Sequence, residues 1–515
     1  MNTRLPPLTF APLLLVAIGC GAPEDDAPTA TVVELDAAPP SAADEAPDAA
    51  APPPDAPALD AVPLDAPALD APARDAPPLD APALDARPAA DAPGSDAGPA
   101  WSPPVERGAV TFPYRAYQCR YSIRAVSPGV RAAQFHADVA GAAPRPRNLH
   151  LTFAGDPSSS VVIQWSTDAA TAATEVRFGE RAGALDRVAR GFSFTYAGGA
   201  GRRQHEVHLC GLAAGRTYYY DAGGGAAGGR SAGHRFVTAP AGPSTVRAIV
   251  TGDSRTNPAQ WAVVARRALA EGADLLVLSG DAVADGASQA QWDALFDASP
   301  ELFATLPAAW SNGNHEYLAE PYLAQFALPD HGGARGVEQW YALTYGPLRL
   351  VALNDTVAAA TDVSIAQVDF LRATLGSVDR ARTPWVLGLH HQPMYTTSAS
   401  HGSNAAVRGA WAPLFDRYHV NADLAGHVHS YESTRPLRGG TSASEGAIVP
   451  AAMGTRYFNF GGGGAPLYGF AATRPWIRLR ESTRGYAVLT ATATTLTWTA
   501  KRDDGTVIET VDLAP

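Results

Sequence analysis

The chain has 515 residues, with 51 acidic against 39 basic side chains and a formal net charge of −12. That length holds two or three domains of ordinary size. Of those charges, 17 of the acidic but only 2 of the basic residues lie between 21 and 100, so the remainder is close to neutral and has no basic block of the kind that binds nucleic acid.

The chain opens Met-Asn-Thr-Arg4, runs through the apolar stretch Leu13-Leu-Leu-Val-Ala-Ile18 and reaches Gly19-Cys20. Residues 1–20 therefore read as a secretory signal of lipoprotein type. The apolar run is too short for a confident membrane span. The expectation is an exported protein, anchored in a membrane by a lipid on Cys20, at the periplasm or cell surface. An ordinary secretory signal with an incidental cysteine is the alternative. Residues 21–100 are Ala, Pro and Asp with little else, and a five-residue unit of the form DAPAL recurs between Asp55 and Leu84. No core can offset the ordering entropy of such a segment. It reads as a disordered, semi-rigid tether, or as a spacer that serves only solubility. Cys119 and Cys210 are then an even pair in an exported protein. A disulfide between them would pin the extension 101–147 onto the next domain; two separate buried thiols are the other possibility.

Residues 148–240 read as all-β. "NLHLTF", "SSVVIQWST", "TEVRFGE", "HEVHLCGL" and "RTYYYDAGG" alternate apolar and polar side chains between Gly, Pro and Asp clusters. Short strands at this spacing predict a sandwich. The stretch from Leu212 to Tyr220 resembles the corner of a fibronectin type III domain. Gly223-x-Gly225-x-x-Gly228 and Gly229-x-Ser231-x-Gly233 match a dinucleotide-binding and a nucleophile-elbow pattern. Both lie in one glycine-rich loop between strands and neither opens a helix, so they read as a hairpin loop.

From 245 to 515 strands alternate with helices, which predicts an α/β domain built on βαβ units. Strands are predicted near 246–253, 274–281, 308–312, 340–354, 385–390 and 422–426. Helices are predicted from Pro258 to Glu271 and near 288–305, 364–377 and 405–418. The tail reads as β-hairpins with a turn at Asp504-Gly505. Ligands are expected at the carboxyl ends of the parallel strands.

Those ends carry a distinctive series. Asp253 ends the first strand and Asp281 the second; Asn314 and His315 follow the third, His390 and His391 another, His427 and His429 the last. A lone aspartate there is usually a cap and a lone histidine a satisfied polar group. Five successive strand ends carrying oxygen and imidazole donors suit first-row metals. Six candidate ligands exceed the three or four of a single zinc site. They suit two ions, which can clamp a hydroxide and both oxygens of an in-line displacement. In an extended "HVH" the two imidazoles would share a face, one for each ion. Gly426 would let the backbone turn just before them.

The blocks GD, GD, GNHE, H-x-P and GHVH, in this order, resemble the calcineurin-like metallophosphoesterases. With a β-sandwich in front, residues 148–515 look like the purple acid phosphatase family. The resemblance implies a four-layer α/β (α+β) sandwich behind a fibronectin type III-like domain. It implies Asp253, Asp281 and His429 at one metal, and Asn314, His391 and His427 at the second, with Asp281 bridging. His391, rather than His390, matches the family spacing. It implies His315 and His401 as the histidines that contact phosphate and protonate the leaving oxygen, work suited to imidazole. The implied cofactors are two divalent or trivalent ions (Fe, Zn or Mn), and the substrate is a phosphate ester.

The family's iron-binding tyrosine is replaced by Ala284. The histidine found in other metallophosphoesterases two residues after the first aspartate is replaced by Arg255. The first ion therefore keeps three protein ligands, and the protein is expected to be colourless. Arg255 is a candidate for binding substrate phosphate, with a salt bridge to Asp285 or Glu316 as the bland alternative; Asn257 is a weaker candidate. Gly461 to Gly464 reads as a mobile loop. The expected function is phosphomonoester hydrolysis. A phosphodiesterase or nucleotidase is the alternative within enzymes, and a non-catalytic surface-binding lipoprotein the alternative outside them.

Overall fold

A computed structural model describes residues 101–515 apart from 125–128, 225–228, 333–337 and 357–364. The leader and the Ala/Pro/Asp segment lie outside the described residues.

Along Trp385–Leu389, Val386 packs with one cluster of buried side chains, while Trp385 and Leu387 pack with another. That alternation of period two marks a strand buried on both faces. It belongs to a seven-stranded sheet in which Leu348–Ala352, Trp385–Leu389, Ala422–Ala425 and Arg456–Phe460 run parallel. A second, eleven-stranded sheet contains Val246–Thr251, Leu275–Leu278 and Ala308–Trp310, also parallel. Their facing side chains, among them Ile249, Leu276, Trp310, Leu387, Leu424 and Phe458, share one core. The helices Pro258–Ala270, Gln289–Ala298 and Pro300–Thr305 add Trp261, Trp292 and Phe303 to it. On the other side Ile365–Gly376 and Ala405–Tyr418 bring Leu371, Trp411 and Phe415 against Val351 and Val386. The order of layers is helix, sheet, sheet, helix.

The helix predicted near 288–305 is two helices. Ser299 lies between them and Pro300 starts the second, where its missing N–H costs nothing. The Asp504-Gly505 turn is present: Gly505 takes φ +89° and its N–H donates to the Arg502 carbonyl at 2.9 Å.

The eleven-stranded sheet continues into the N-terminal β domain, because Ala308 bridges Thr152 on Arg147–Thr152. Opposite it stands a four-stranded sheet that includes Glu175–Gly179, Thr217–Gly223 and His234–Val237. Between them lie Trp165, Val207, Tyr218 and Phe236. The hydroxyl of Tyr218 accepts the Ala213 N–H at 2.9 Å, which closes the corner expected from the sequence. The Gly/Ser-rich motifs sit between Thr217–Gly223 and His234–Val237; the described part opens no helix, and 225–228 lie outside the described residues. Cys119 and Cys210 are joined as a disulfide. Beside it the Tyr121 hydroxyl bonds His208 at 2.6 Å, a second tie between the extension and the strand Arg202–Cys210.

Candidate metal centre

The carboxyl ends of both parallel strand sets meet at one place. Val246–Thr251, Leu275–Leu278 and Ala308–Trp310 deliver Asp253, Asp281 and Asn314; Trp385–Leu389 and Ala422–Ala425 deliver His391, His427 and His429. Asp253, Asp281 and His427 adopt φ of +56°, +54° and +64°. Left-handed backbone at non-glycine residues is costly, and it recurs at functional sites where surrounding structure holds it. The chain turns at the ligands themselves. His427-Val-His429 is accordingly bent, with the Val428 N–H on the Gly426 carbonyl at 2.7 Å, and not the extended segment the sequence suggested. Gly426 serves close approach instead: a Cβ there would lie 2.5 Å from Asp253 Oδ2.

Ligand atoms of Asp281, His391 and His427 all lie within 4.8 Å of one another. Asn314 Oδ1 is 2.9 Å from His391 Nε2, and His429 Nε2 is 3.4 Å from Asp253 Oδ1. The Nδ1–H of His391 donates to the Ser279 carbonyl and that of His429 to the Pro466 carbonyl, both at 2.7 Å. A carbonyl can only accept, so each ring turns Nε2 towards the site, the arrangement typical of metal-binding histidines. Asp253 Oδ1 and Asp281 Oδ2 are buried and make no hydrogen bond. Buried carboxylate oxygens are rarely left so. Orphaned carboxylate oxygens beside inward-facing imidazoles and an amide oxygen fit a metal centre.

The electrostatics agree. Burial pushes the Asp281 pKa up, but His391 and His315 outweigh it and hold the carboxyl well below its usual range. Burial opposes charge on His391, yet Asp281 and Asp253 raise it to about 10. The acidic cluster thus retains a proton at a place where a cation would displace it. His427, buried and beside His391 and His401, is pushed well below 6.5 and stays neutral.

His315 donates its Nδ1–H to the Ala284 carbonyl at 2.8 Å, leaving Nε2 3.8 Å from Asp281 Oδ2. The His401 ring lies 4.2 Å, centre to centre, from that of His427. Arg255 has Nε 3.5 Å from Asp281 Oδ2 and Nη2 3.4 Å from His429 Nε2. Its ionic partner is therefore Asp281, not Asp285 or Glu316. Asn257 does not join this group: its side chain caps Pro258–Ala270 by accepting the Gln260 N–H.

Three residues have roles that the sequence does not show. Glu316 accepts N–H groups from Asp281, Ala282 and Gly313 at 2.7–2.9 Å, and so sets the loop that carries Asp281. His390 is held between Asp355 and Asp423, 2.8 Å from each. Tyr468 stacks on His429 with ring centres 4.0 Å apart. The Glu in "GNHE" was visible as a charge beside two ligands; nothing in the sequence marks Tyr468.

Family comparison bears on both domains. Residues 146–238 match the purple acid phosphatase N-terminal domain, and 246–431 match the calcineurin-like phosphoesterases. Purple acid phosphatase 21 of Arabidopsis thaliana is 26% identical over 309 residues, covering 57% of this chain and 67% of that protein. Acid phosphatase type 7 of Mus musculus is 28% identical over 340 residues, covering 60% of this chain and 74% of that one. Among solved structures, purple acid phosphatase PPD1 from yellow lupin seeds superimposes with a TM-score of 0.62 at 21% identity, covering 72% of this chain and 74% of the lupin chain.

Proposed function

The chain belongs to the calcineurin-like phosphoesterases, with an N-terminal domain of the purple acid phosphatase type, and we propose that it is a phosphomonoesterase working with two metal ions. It is a metal-dependent hydrolase of phosphate esters.

The observation that carries this reading is that Asp281 converges with His391 and His427, that Asp253 meets His429, and that Arg255 touches both Asp281 and His429. Asp281 has Oδ1 3.3 Å from His391 Nε2, while Oδ2 faces Arg255. A carboxylate so placed can bridge two ions. Asp253 and His429 would complete the first site, and Asn314, His391 and His427 the second. Bound ions supply Lewis acidity and a nucleophilic water. Arg255 binds phosphate oxygens through its planar guanidinium. His315, whose Nδ1–H is committed to Ala284, and His401 hold the proton for the departing alcohol oxygen. Asp281→Asn tests the assignment: elemental analysis should show loss of bound metal together with activity. Full metal content in that variant would refute the bridging role.

Ala284 favours a second reading, a phosphodiesterase or nucleotidase on the same scaffold, because one family ligand is gone. We also propose export and lipid anchoring, supported by Gly19-Cys20 after an apolar run. Radiolabelled palmitate on the wild-type chain, absent from Cys20→Ser, would test it.

A further inference from the structure

The glycine run that the sequence suggests as a mobile loop is packed against the candidate metal centre. Gly463 N–H donates to the Gly252 carbonyl, and the Gly464 and Ala465 N–H groups both donate to the Asp253 carbonyl, at 2.9–3.0 Å. A Cβ on Gly461 would fall 2.6 Å from Asp253 Oδ2 and 2.5 Å from the Val428 carbonyl. On Gly463 it would meet the Gly252 carbonyl at 2.5 Å, and on Gly464 the Ser254 carbonyl at 2.6 Å. Most of these obstacles are backbone atoms, which cannot rotate away. The run is glycine because the backbone lies directly on the Asp253 turn.

The same segment then reaches His429. The Pro466 carbonyl takes the His429 Nδ1–H, the Tyr468 N–H donates to the His429 carbonyl at 2.9 Å, and the Tyr468 ring covers His429 at an interplanar angle of 16°. Downstream, Gly469 and Ala471 hydrogen-bond Ala399 and Thr397. That joins the segment to the loop that carries His401, whose ring lies 5.3 Å from Tyr468. One stretch of chain therefore fixes two residues, 176 positions apart, that belong to the same candidate ion.

We propose that the segment from Gly461 to Tyr468 is a clamp for the first metal, holding Asp253 and His429 in place at a site where Ala284 supplies no ligand. The proposal rests on the two-ion reading above. Gly461 to Gly464 and Tyr468 are positioning residues. They fix the turn and the ring plane of the two side chains that would hold the ion. Partners of metal ligands typically change metal affinity by about 10- to 100-fold. The segment meets Asp253 and His429 directly and reaches the second site only through Val428 and His401, neighbours of His427, so the effect should fall chiefly on the first ion.

The test is a zinc titration of chelator-stripped full-length protein against a chromophoric competitor, with the thermal midpoint of the metal-free form recorded beside it. Wild-type protein should take two ions. Tyr468→Ala and Gly461→Ala should each weaken one site by about tenfold or more and leave the other within about twofold. Tyr468→Phe, which keeps the stack, should behave as wild type. Unchanged affinities in both weakening variants would overturn the clamp, and so would equal loss at both sites. Wild-type protein that takes fewer than two ions would overturn the two-ion reading and the clamp with it, an outcome visible before any variant is made.

Discussion

The main-chain carbonyl of Ala284 accepts the Nδ1–H of His315 at 2.8 Å. Ala284, which stands where the resembling family carries a tyrosine, orients the candidate acid through its backbone. That explains how the loop after Asp281 can change its side chain and keep its course, since Glu316 holds it by the Asp281, Ala282 and Val283 N–H groups.

His315→Asn should lower kcat by about a hundredfold on alkyl phosphates, whose alkoxides need a proton, and by much less on p-nitrophenyl phosphate. Metal content should stay at the wild-type level. Equal losses on both esters would remove His315 from the acid role.

Iron-loaded protein should show no intense visible band, because Ala284 offers no phenolate. An absorption spectrum before and after chelation checks this. A strong band that chelation abolishes would contradict it, and its survival in Tyr468→Phe would exclude that tyrosine as the source.

Arg255→Ala should raise KM for a phosphate ester by about tenfold, the value of a charge-assisted bidentate contact. Bound metal should not fall. Unchanged kinetics would leave Arg255 only as the ionic partner of Asp281.

Asp221 supports the β domain. Burial works against its charge, but Arg177 and Arg230, with Nε atoms at 3.0 and 2.8 Å, outweigh it and lower its pKa. A lowered carboxyl pKa stabilises the fold above the usual value of 3.8, and the gain is lost as pH falls through the folded value. Asp221→Asn should therefore cost about 1–2 kcal/mol at pH 7, with the gap to wild type narrowing below pH 4. Urea unfolding at the two pH values measures it; a gap that does not depend on pH would show that the charge is not the cause.

Strand ends were legible because each ends in a block whose chemistry differs from its surroundings. The helix over 405–418 was equally legible, although Pro413 lies inside it. The break at Pro300 was visible as a proline but hidden by the apolar pattern on both sides. What the sequence could not show was closeness between distant backbones. Gly461 and Asp253 meet because two sheets end at the same place, and glycine alone does not say whether it is loose or tightly packed. Asn257 looked like a polar neighbour of the site and is a helix cap, since the choice turns on which way one side chain points. His390 and His391 could be separated only by the family spacing; the structure shows the physical reason, two aspartates already engaging both nitrogens of His390.

The measurement that tests the central claim most directly compares kcat/KM for p-nitrophenyl phosphate and for its bis-ester on metal-reconstituted protein. A phosphomonoesterase should turn over the monoester with the higher kcat/KM. Preference for the diester, or no turnover of either by fully metallated protein, would contradict the account.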